Sequence, residues 1–179
     1  MTQKTNENLT KELNEKGILR LTLDDPEIKN PLSELMIDNL ISEIDTASTD
    51  KEVKVIVIGS TGDVFCSGHD LKELKEANDS NKDKELFFLN LFQKCSKLMQ
   101  LIVNCPKPII AEVGGIATAA GCQLVASCDL AISSECAKFA TPGVNIGLFC
   151  STPMVSLSRN VSKKNSMNML LTGDMIDAK

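Results

Sequence analysis

The sequence predicts an α/β fold built on a mostly parallel sheet. Short β-branched runs at 53–58 and 108–113 alternate along the chain with segments whose apolar residues recur at helical spacing. Such short aliphatic runs are typical of strands buried on both faces of a parallel sheet. Strands that alternate with helices indicate right-handed crossover units between parallel neighbours.

The elements follow from periodicity and from turn residues. Asn30 and Pro31 predict the N-cap and first position of the first helix. The predicted strands are 18–23, 53–58, 64–65, 108–113, 129–133 and 138–140. The predicted helices are 31–47, 70–77, about 88–102, 118–127, 151–159 and 163–171.

The two ends of the chain carry weaker patterns. Residues 1–15 mix Lys with Glu and show neither an apolar signal region nor an Arg-rich amphipathic pattern, so we expect a flexible segment without a visible targeting signal. Residues 16–179 are then one domain. Residues 176–179 predict the start of a further helix, and we expect the C-terminal helical part of the domain to be incomplete.

Composition narrows the functional classes. A chain of 179 residues can bury a single-domain core, and a net charge of -5 argues against a nucleic-acid partner. No apolar run reaches the roughly 18 residues of a membrane span. Seven cysteines, an odd number without C-x-x-C spacing, predict reduced and buried thiols, and a single histidine makes a zinc site improbable.

Two strand-turn-helix junctions are the most informative segments. The first, 65–71, places Gly68 before His69, so the His69 backbone N–H is free to face a ligand. The second, 114–123, starts a helix with small side chains directly after two glycines, which lets the backbone approach a ligand closely. The alternatives are a plain turn with solvated charges at the first junction and close helix packing at the second.

Together these motifs resemble the crotonase, or enoyl-CoA hydratase/isomerase, superfamily. The resemblance runs from about residue 15 to the end and rests on 64–71, 113–129, 139–142 and 171–173. The segments 117–129 and 139–153 are similar to one mitochondrial subgroup of this superfamily. The resemblance implies a β-β-α spiral core with flanking helices that binds acyl-CoA as substrate or ligand, with no other cofactor.

The resemblance also implies roles for individual residues. The backbone N–H groups of His69 and Ala120 would form an oxyanion hole for the thioester carbonyl. Lys29 and Lys72 would lie near the CoA phosphates, while Asn145 and Cys150 fall in the segment that faces the acyl pocket in relatives. The backbone of the first junction would contact the adenine of CoA through Cys66, Ser67, Gly68, Asp70 and Leu71.

The sequence departs from the superfamily at the two glutamates that an active hydratase uses as base and acid. Gln123 stands at the first position and Gly143 at the second. Neither can exchange a proton near neutral pH, and each general acid–base step is worth about 10²–10⁴ in rate. We therefore expect weak or no enoyl-CoA hydration.

Three functional hypotheses remain open at this point. The leading one is an acyl-CoA-binding protein of fatty-acid metabolism with weak or absent hydratase activity. The second is an enzyme of other chemistry, an isomerase, hydrolase or decarboxylase, with a proton carrier such as the His69 imidazole. The third is a non-catalytic regulatory or assembly subunit. The resemblance implies a trimer or hexamer for the full-length protein and a mitochondrial location, with the cytoplasm as the alternative.

Overall fold

The computed structural model describes residues 3–6, 8–80 and 83–179, and folds them into two sheets and six helices. The strands are β1 (Gln3–Asn6), β2 (Leu9–Leu13), β3 (Ile18–Leu23), β4 (Val55–Ser60), β5 (Val64–Cys66), β6 (Ile109–Val113), β7 (Ile116–Thr118), β8 (Leu130–Ser133), β9 (Lys138–Ala140) and β10 (Ile176–Asp177). The helices are α1 (Glu34–Thr49), α2 (Leu71–Asp79), α3 (Lys84–Val103), α4 (Ala120–Ser127), α5 (Ser151–Asn160) and α6 (Lys163–Thr172).

The larger sheet has the strand order β1-β2-β3-β4-β6-β8. Its strands β3, β4, β6 and β8 are parallel, as predicted, and β1 and β2 extend it in antiparallel fashion. The Asp129 carboxylate accepts a hydrogen bond from the Ile109 backbone N–H at 2.8 Å and so fixes the start of β6. The mostly parallel α/β architecture is confirmed.

The smaller sheet, β10-β9-β7-β5, positions the two junctions. Strands β5 and β7 are neighbours and run parallel, so their carboxyl ends lie at the same edge. The first junction follows β5 and the second follows β7. Pairing within this sheet is therefore what brings the two small-residue turns together.

Most of the core is aliphatic. The main cluster joins the larger sheet to α1 and α3 and includes the fully buried Phe65, Ile37 and Ile56. A second, smaller cluster joins α4 to α5 and α6 through Cys122, Cys150, Leu157, Met169 and Leu170. None of the helices in the described part of the chain is long and apolar enough to cross a bilayer.

The first helix starts later than predicted. Its N-cap is Ser33, whose hydroxyl accepts the Met36 backbone N–H at 3.2 Å, and not Asn30. Asn30 is fully buried with φ 50°, and its amide bonds to the carbonyls of Thr61 and Val64. The prediction considered only the neighbouring residues, for which an Asn-Pro pair is a typical helix start. In the structure Asn30 instead uses its side chain to bind backbone groups distant in the sequence.

Both ends of the chain also differ from the sequence-based picture. In the segment predicted to be flexible, residues 3–6 and 9–13 form strands, because β2 pairs with β3 in register from Leu9 to Leu13. Residues 1, 2 and 7 of that segment lie outside the described residues. The prediction of a helix start at 176–179 is wrong, since Ile176 and Asp177 pair with β9.

Candidate active site

The two junctions meet at Gly68 and Ala120. A Cβ added at Gly68 would lie 2.9 Å from Ala119 Cβ and 3.2 Å from the Ala120 backbone nitrogen. The Thr118 hydroxyl donates to the Ser67 carbonyl at 3.0 Å and ties the two turns together. Gly68, with φ 94°, is thus required by both its conformation and its closeness to the second turn.

The backbone N–H groups of His69 and Ala120 have no acceptor among the described residues. The bridge between Leu32 and His69 uses the Leu32 N–H and the Gly68 carbonyl, and Ala120 is the first residue of α4. A first-turn helical N–H lacks an intrahelical partner and is available to a ligand. That the pair binds a thioester carbonyl remains a prediction.

Backbone strain at Ala119 sets the direction of the Ala120 N–H. Ala119 has φ 50° and ψ -121°, which a residue with a Cβ rarely adopts. Its ψ angle orients the peptide group that carries the Ala120 N–H. The conformation is held by the Ala119 N–H, which donates to the Ala140 carbonyl at 3.0 Å, and by Gly68 packed on the Ala119 methyl. Strain of about 1–3 kcal/mol is typical of functional sites.

The His69 imidazole is buried next to this pair. Its ring packs edge-on against Phe92 with centroids 5.4 Å apart; neither ring nitrogen forms a hydrogen bond of normal geometry within the described residues, although the Leu32 backbone lies close enough to favour the protonated ring. Burial lowers the pKa of His69 below its ordinary value of 6.5. The imidazole is therefore neutral near pH 7 and can accept a proton.

Gln123 lies one turn after Ala120 on α4, and thus on the same face. It is 6% exposed, and its Oε1 atom has no partner in the described parts of the chain. The side chain lines a groove of about 350 Å³ between α3, α4 and α5, which we call the three-helix groove. Phe92 lines this groove as well and connects it to His69.

Gly143 leaves no room for a side chain. It lies in the 3₁₀ turn Pro142–Ile146, where an added Cβ would be 2.8 Å from the Leu148 carbonyl oxygen and 2.9 Å from Cys150 Sγ. A glutamate here requires the 143–150 segment to move. Gly143 is not among the residues that line the three-helix groove.

The structure brings Lys29 to the first junction but leaves Lys72 in solvent. The Ser67 N–H donates to the Lys29 carbonyl at 3.2 Å. Asp70 is the N-cap of α2 and accepts the Lys72 backbone N–H at 2.8 Å, and the Lys72 side chain is 83% exposed. Leu71 is exposed beside them, and Cys66 is buried with its thiol pKa raised to about 12 by burial.

Asn145 and Cys150 do not line the three-helix groove. Asn145 is exposed on the 3₁₀ turn and contacts the end of α6 at Gly173. Cys150 packs with Cys122 in the smaller core cluster, which explains its burial without a chemical role. All seven cysteines are free thiols, and four of them are buried, as predicted: Cys66, Cys95, Cys122 and Cys150.

Sequence reasoning missed three residues at the site. Phe92 was assigned only to a helix pattern, although it packs on the sole histidine. Arg159 lines the groove. It is the only charged residue on α5, and this isolated charge could have been noticed in the sequence. Thr141 is fully buried with a hydroxyl that lacks a partner among the described residues, and no local pattern marks it.

Comparison with known proteins assigns this geometry to a family. The profile of the enoyl-CoA hydratase/isomerase family matches residues 13–179. The chain belongs to the enoyl-CoA hydratase/isomerase family. This result confirms the crotonase-like fold expected from the four sequence motifs.

Individual members of the enoyl-CoA hydratase/isomerase family agree with the subgroup that the sequence resembles. The enoyl-CoA hydratase domain-containing protein 3, mitochondrial, of Danio rerio is 51% identical over 162 residues, which are 90% of this chain and 54% of that protein. A solved human enoyl-CoA hydratase domain-containing protein 3 superposes with a TM-score of 0.88 at 48% identity, covering 96% of this chain and 66% of that one. An enoyl-CoA hydratase of Mycobacterium smegmatis gives a TM-score of 0.90 at 44% identity, covering 97% and 65%.

The chain spans about half the length of the curated relatives it matches. Members of the family generally bind acyl-CoA and form oligomers.

Proposed function

We propose that this protein binds an acyl-CoA thioester of fatty-acid metabolism and hydrates enoyl-CoA weakly or not at all. The observation that supports the proposal is the close approach of Gly68 to Ala120, next to the buried Gln123, where the His69 and Ala120 N–H groups have no acceptor among the described residues. Two such donors stabilise the negative charge that develops on a thioester oxygen, and one donor is worth about 3 kcal/mol of barrier.

The missing acid–base pair supports the second half of the proposal. The Gln123 amide can hydrogen-bond a ligand or a water but cannot take up a proton near neutral pH. The packing around Gly143 explains why no acid stands there, since Leu148 and Cys150 occupy the space. The thioester would be bound and polarised without a carboxylate to activate water.

The CoA moiety would follow the first junction. Lys29 is tied to Ser67 by its backbone, and the exposed Lys72 ammonium can reach a phosphate from the first turn of α2. We further propose that the protein is mitochondrial, because the similar proteins of Danio rerio and human are named mitochondrial. We also propose that the full-length protein is a trimer or a hexamer.

Calorimetry tests binding and an absorbance assay tests hydration. We expect the full-length protein to bind crotonyl-CoA more tightly than free CoA and to add water to it negligibly. The absence of binding to any acyl-CoA contradicts the first statement, and robust hydration contradicts the second. In a Gln123→Glu variant we expect the rate of enoyl-CoA hydration to rise. In a Gly143→Glu variant we expect the free energy of unfolding to fall, because the new side chain displaces Leu148 and Cys150.

His69 supports a second candidate function, an enzyme of other chemistry on the same scaffold. Its imidazole is buried and its pKa is lowered by burial, so it is neutral near pH 7 and can act as a general base. Exchange of the thioester α-proton in heavy water, followed by NMR, measures this activity. Exchange that is lost in a His69→Ala variant supports it, since that variant keeps the backbone N–H. Exchange that is absent, or that persists in the variant, removes His69 as a base.

A further inference from the structure

The three-helix groove is lined by both apolar and polar side chains. Close to His69 it is lined by Phe92, Cys95 and Met99. Val103 and Val155 add apolar surface. The remaining lining groups are hydroxyls and amides, with a single cation among the described lining residues: Ser96, Gln100, Asn104, Gln123, Ser127, Thr152, Ser156 and Arg159.

The arrangement of the helices places Arg159 far from the proposed carbonyl site. Helix α4 runs from Ala120, at the junctions, to Ser127, about 10 Å away at 1.5 Å per residue. At that far end the Ser127 hydroxyl lies 3.0 Å from the Ser156 hydroxyl, and Asn160 donates to the Ala126 carbonyl. Arg159 precedes Asn160 on α5, so it lies at the end of the groove remote from Ala120.

Two groups along the groove lack partners within the described residues. Gln123 is nearly fully buried, and its Oε1 accepts no hydrogen bond there. Arg159 forms no ion pair with a described carboxylate, whereas the other arginine, Arg20, binds Glu112 at 2.7 Å. A methylene chain or a carboxylate has no donor to offer Gln123 Oε1, so the unpaired guanidinium of Arg159 is the group that determines the chemistry of a ligand here.

We propose that the three-helix groove takes an acyl chain that ends in a carboxylate, with Arg159 as the residue that recognises it. The proposal rests on the proposed function, because the thioester end of the chain must lie at His69 and Ala120. The chain passes Gln123 and Met99, and its terminal carboxylate meets the guanidinium beside the Ser127–Ser156 hydroxyl pair. Arginine binds carboxylates through two parallel N–H···O bonds, which favours them over a methyl terminus.

The test compares two thioesters of equal chain length, suberyl-CoA and octanoyl-CoA, by calorimetry with the full chain at low salt. We expect suberyl-CoA to bind up to about fivefold more tightly, a moderate preference because Arg159 is solvent-exposed. The preference should shrink as salt rises, since exposed charges are screened. Arg159→Gln should remove the preference by lowering the affinity for suberyl-CoA toward that for octanoyl-CoA.

Lys163→Gln is the matched control, because it removes one exposed positive charge from the neighbouring helix α6 outside the groove. We expect this variant to keep the preference. Equal binding of the two thioesters by the wild type overturns the proposal, and so does a preference that survives in Arg159→Gln. If octanoyl-CoA binds and suberyl-CoA shows no advantage, only the carboxylate proposal fails. If neither thioester binds, the proposed function fails and this proposal with it.

Discussion

At the scale of single residues, the candidate site depends on backbone positions that side-chain chemistry alone does not reveal. Gly68 and Ala119 both have positive φ, and they lie so close that a Cβ added at Gly68 would be 2.9 Å from the Ala119 Cβ. The direction of the two N–H groups proposed as carbonyl donors thus depends on a glycine with no room for a side chain and on an alanine under strain.

Gly68→Ala should disturb this contact directly. The new methyl meets Ala119 Cβ and the Ala120 nitrogen at a φ that alanine rarely adopts, so we expect a loss of about 2–4 kcal/mol in stability and weaker thioester binding. Chemical denaturation and calorimetry measure the two effects.

Gly147→Ala provides the control for backbone strain. Gly147 has φ 77° but open space around an added Cβ, so its substitution should cost about 1–2 kcal/mol from conformation alone and leave binding intact. Equal losses in both variants would contradict a specific role for the Gly68–Ala119 contact.

The buried His69 imidazole makes stability depend on pH. Because its pKa is lowered in the folded state, the unfolded chain takes up the proton first as pH falls through about 6.5. The free energy of unfolding should therefore decrease from pH 7 downward and level off below the folded-state pKa.

Urea unfolding at several pH values measures this effect. His69 is the only histidine, so the difference between the wild type and a His69→Gln variant isolates its contribution. A difference that stays constant between pH 5.5 and 7.5 would show that the ring is not protected from protonation.

At the scale of elements, the helices and strands with a clear periodic pattern could be predicted from the sequence. The helical spacing in α3 and α6 and the β-branched runs of β4 and β6 gave elements close to those observed. Strand β7 and the pairing of β10 with β9 were missed, because segments of two or three residues are strands only through their neighbours. The small-residue junctions were visible in the sequence, but the groove beside them required the packing of three helices.

Asn30 shows how one buried side chain joins separate elements. Its amide donates to the Thr61 and Val64 carbonyls and accepts the Asp25 N–H at 2.7 Å, linking the turn after β3 to the turn before β5. Asn30→Ala should cost about 3 kcal/mol, since it leaves three backbone groups unpaired at a positive φ. Thermal and urea unfolding measure the loss.

Asn104→Ala is the corresponding control. Asn104 is exposed and makes one side-chain bond, to the Gln100 carbonyl. We expect a loss below about 1 kcal/mol, because water replaces the lost partner. If Asn30→Ala is no more destabilising than Asn104→Ala, the hydrogen bonds of Asn30 do not hold the two turns together.

At the scale of the whole molecule, exposed apolar side chains lie on many elements, and two groups of them are placed where another chain could pack. The edge strand β8 exposes Leu130 at 59% and Ile132 at 63%, and the segment after the 3₁₀ turn exposes Leu148 and Phe149. The exposed side chains continue along the C-terminal helices and the chain that follows at Val155, Met167, Leu171 and Met175. An apolar edge strand invites pairing with another chain, and apolar patches of this kind mark contact surfaces.

We therefore expect the 179-residue chain to associate in solution as its concentration rises. Sedimentation velocity over a range of concentrations measures the association. Ile132→Lys should reduce it, because a charge on an edge strand opposes pairing with a second edge. Ile28→Lys is the control, since Ile28 is exposed to a similar extent, 53%, on the separate 3₁₀ turn Pro26–Ile28.

The two variants add the same charge, so a difference between them reflects where the charge lies and not the net charge of the chain. Reduced association in Ile132→Lys alone places the contact at β8, where backbone groups of the edge strand are free to pair. Equal reduction in both variants indicates general repulsion. A chain that stays monomeric at all concentrations would contradict the prediction, and would show that exposed leucines and isoleucines on this fold are tolerated in water without a partner.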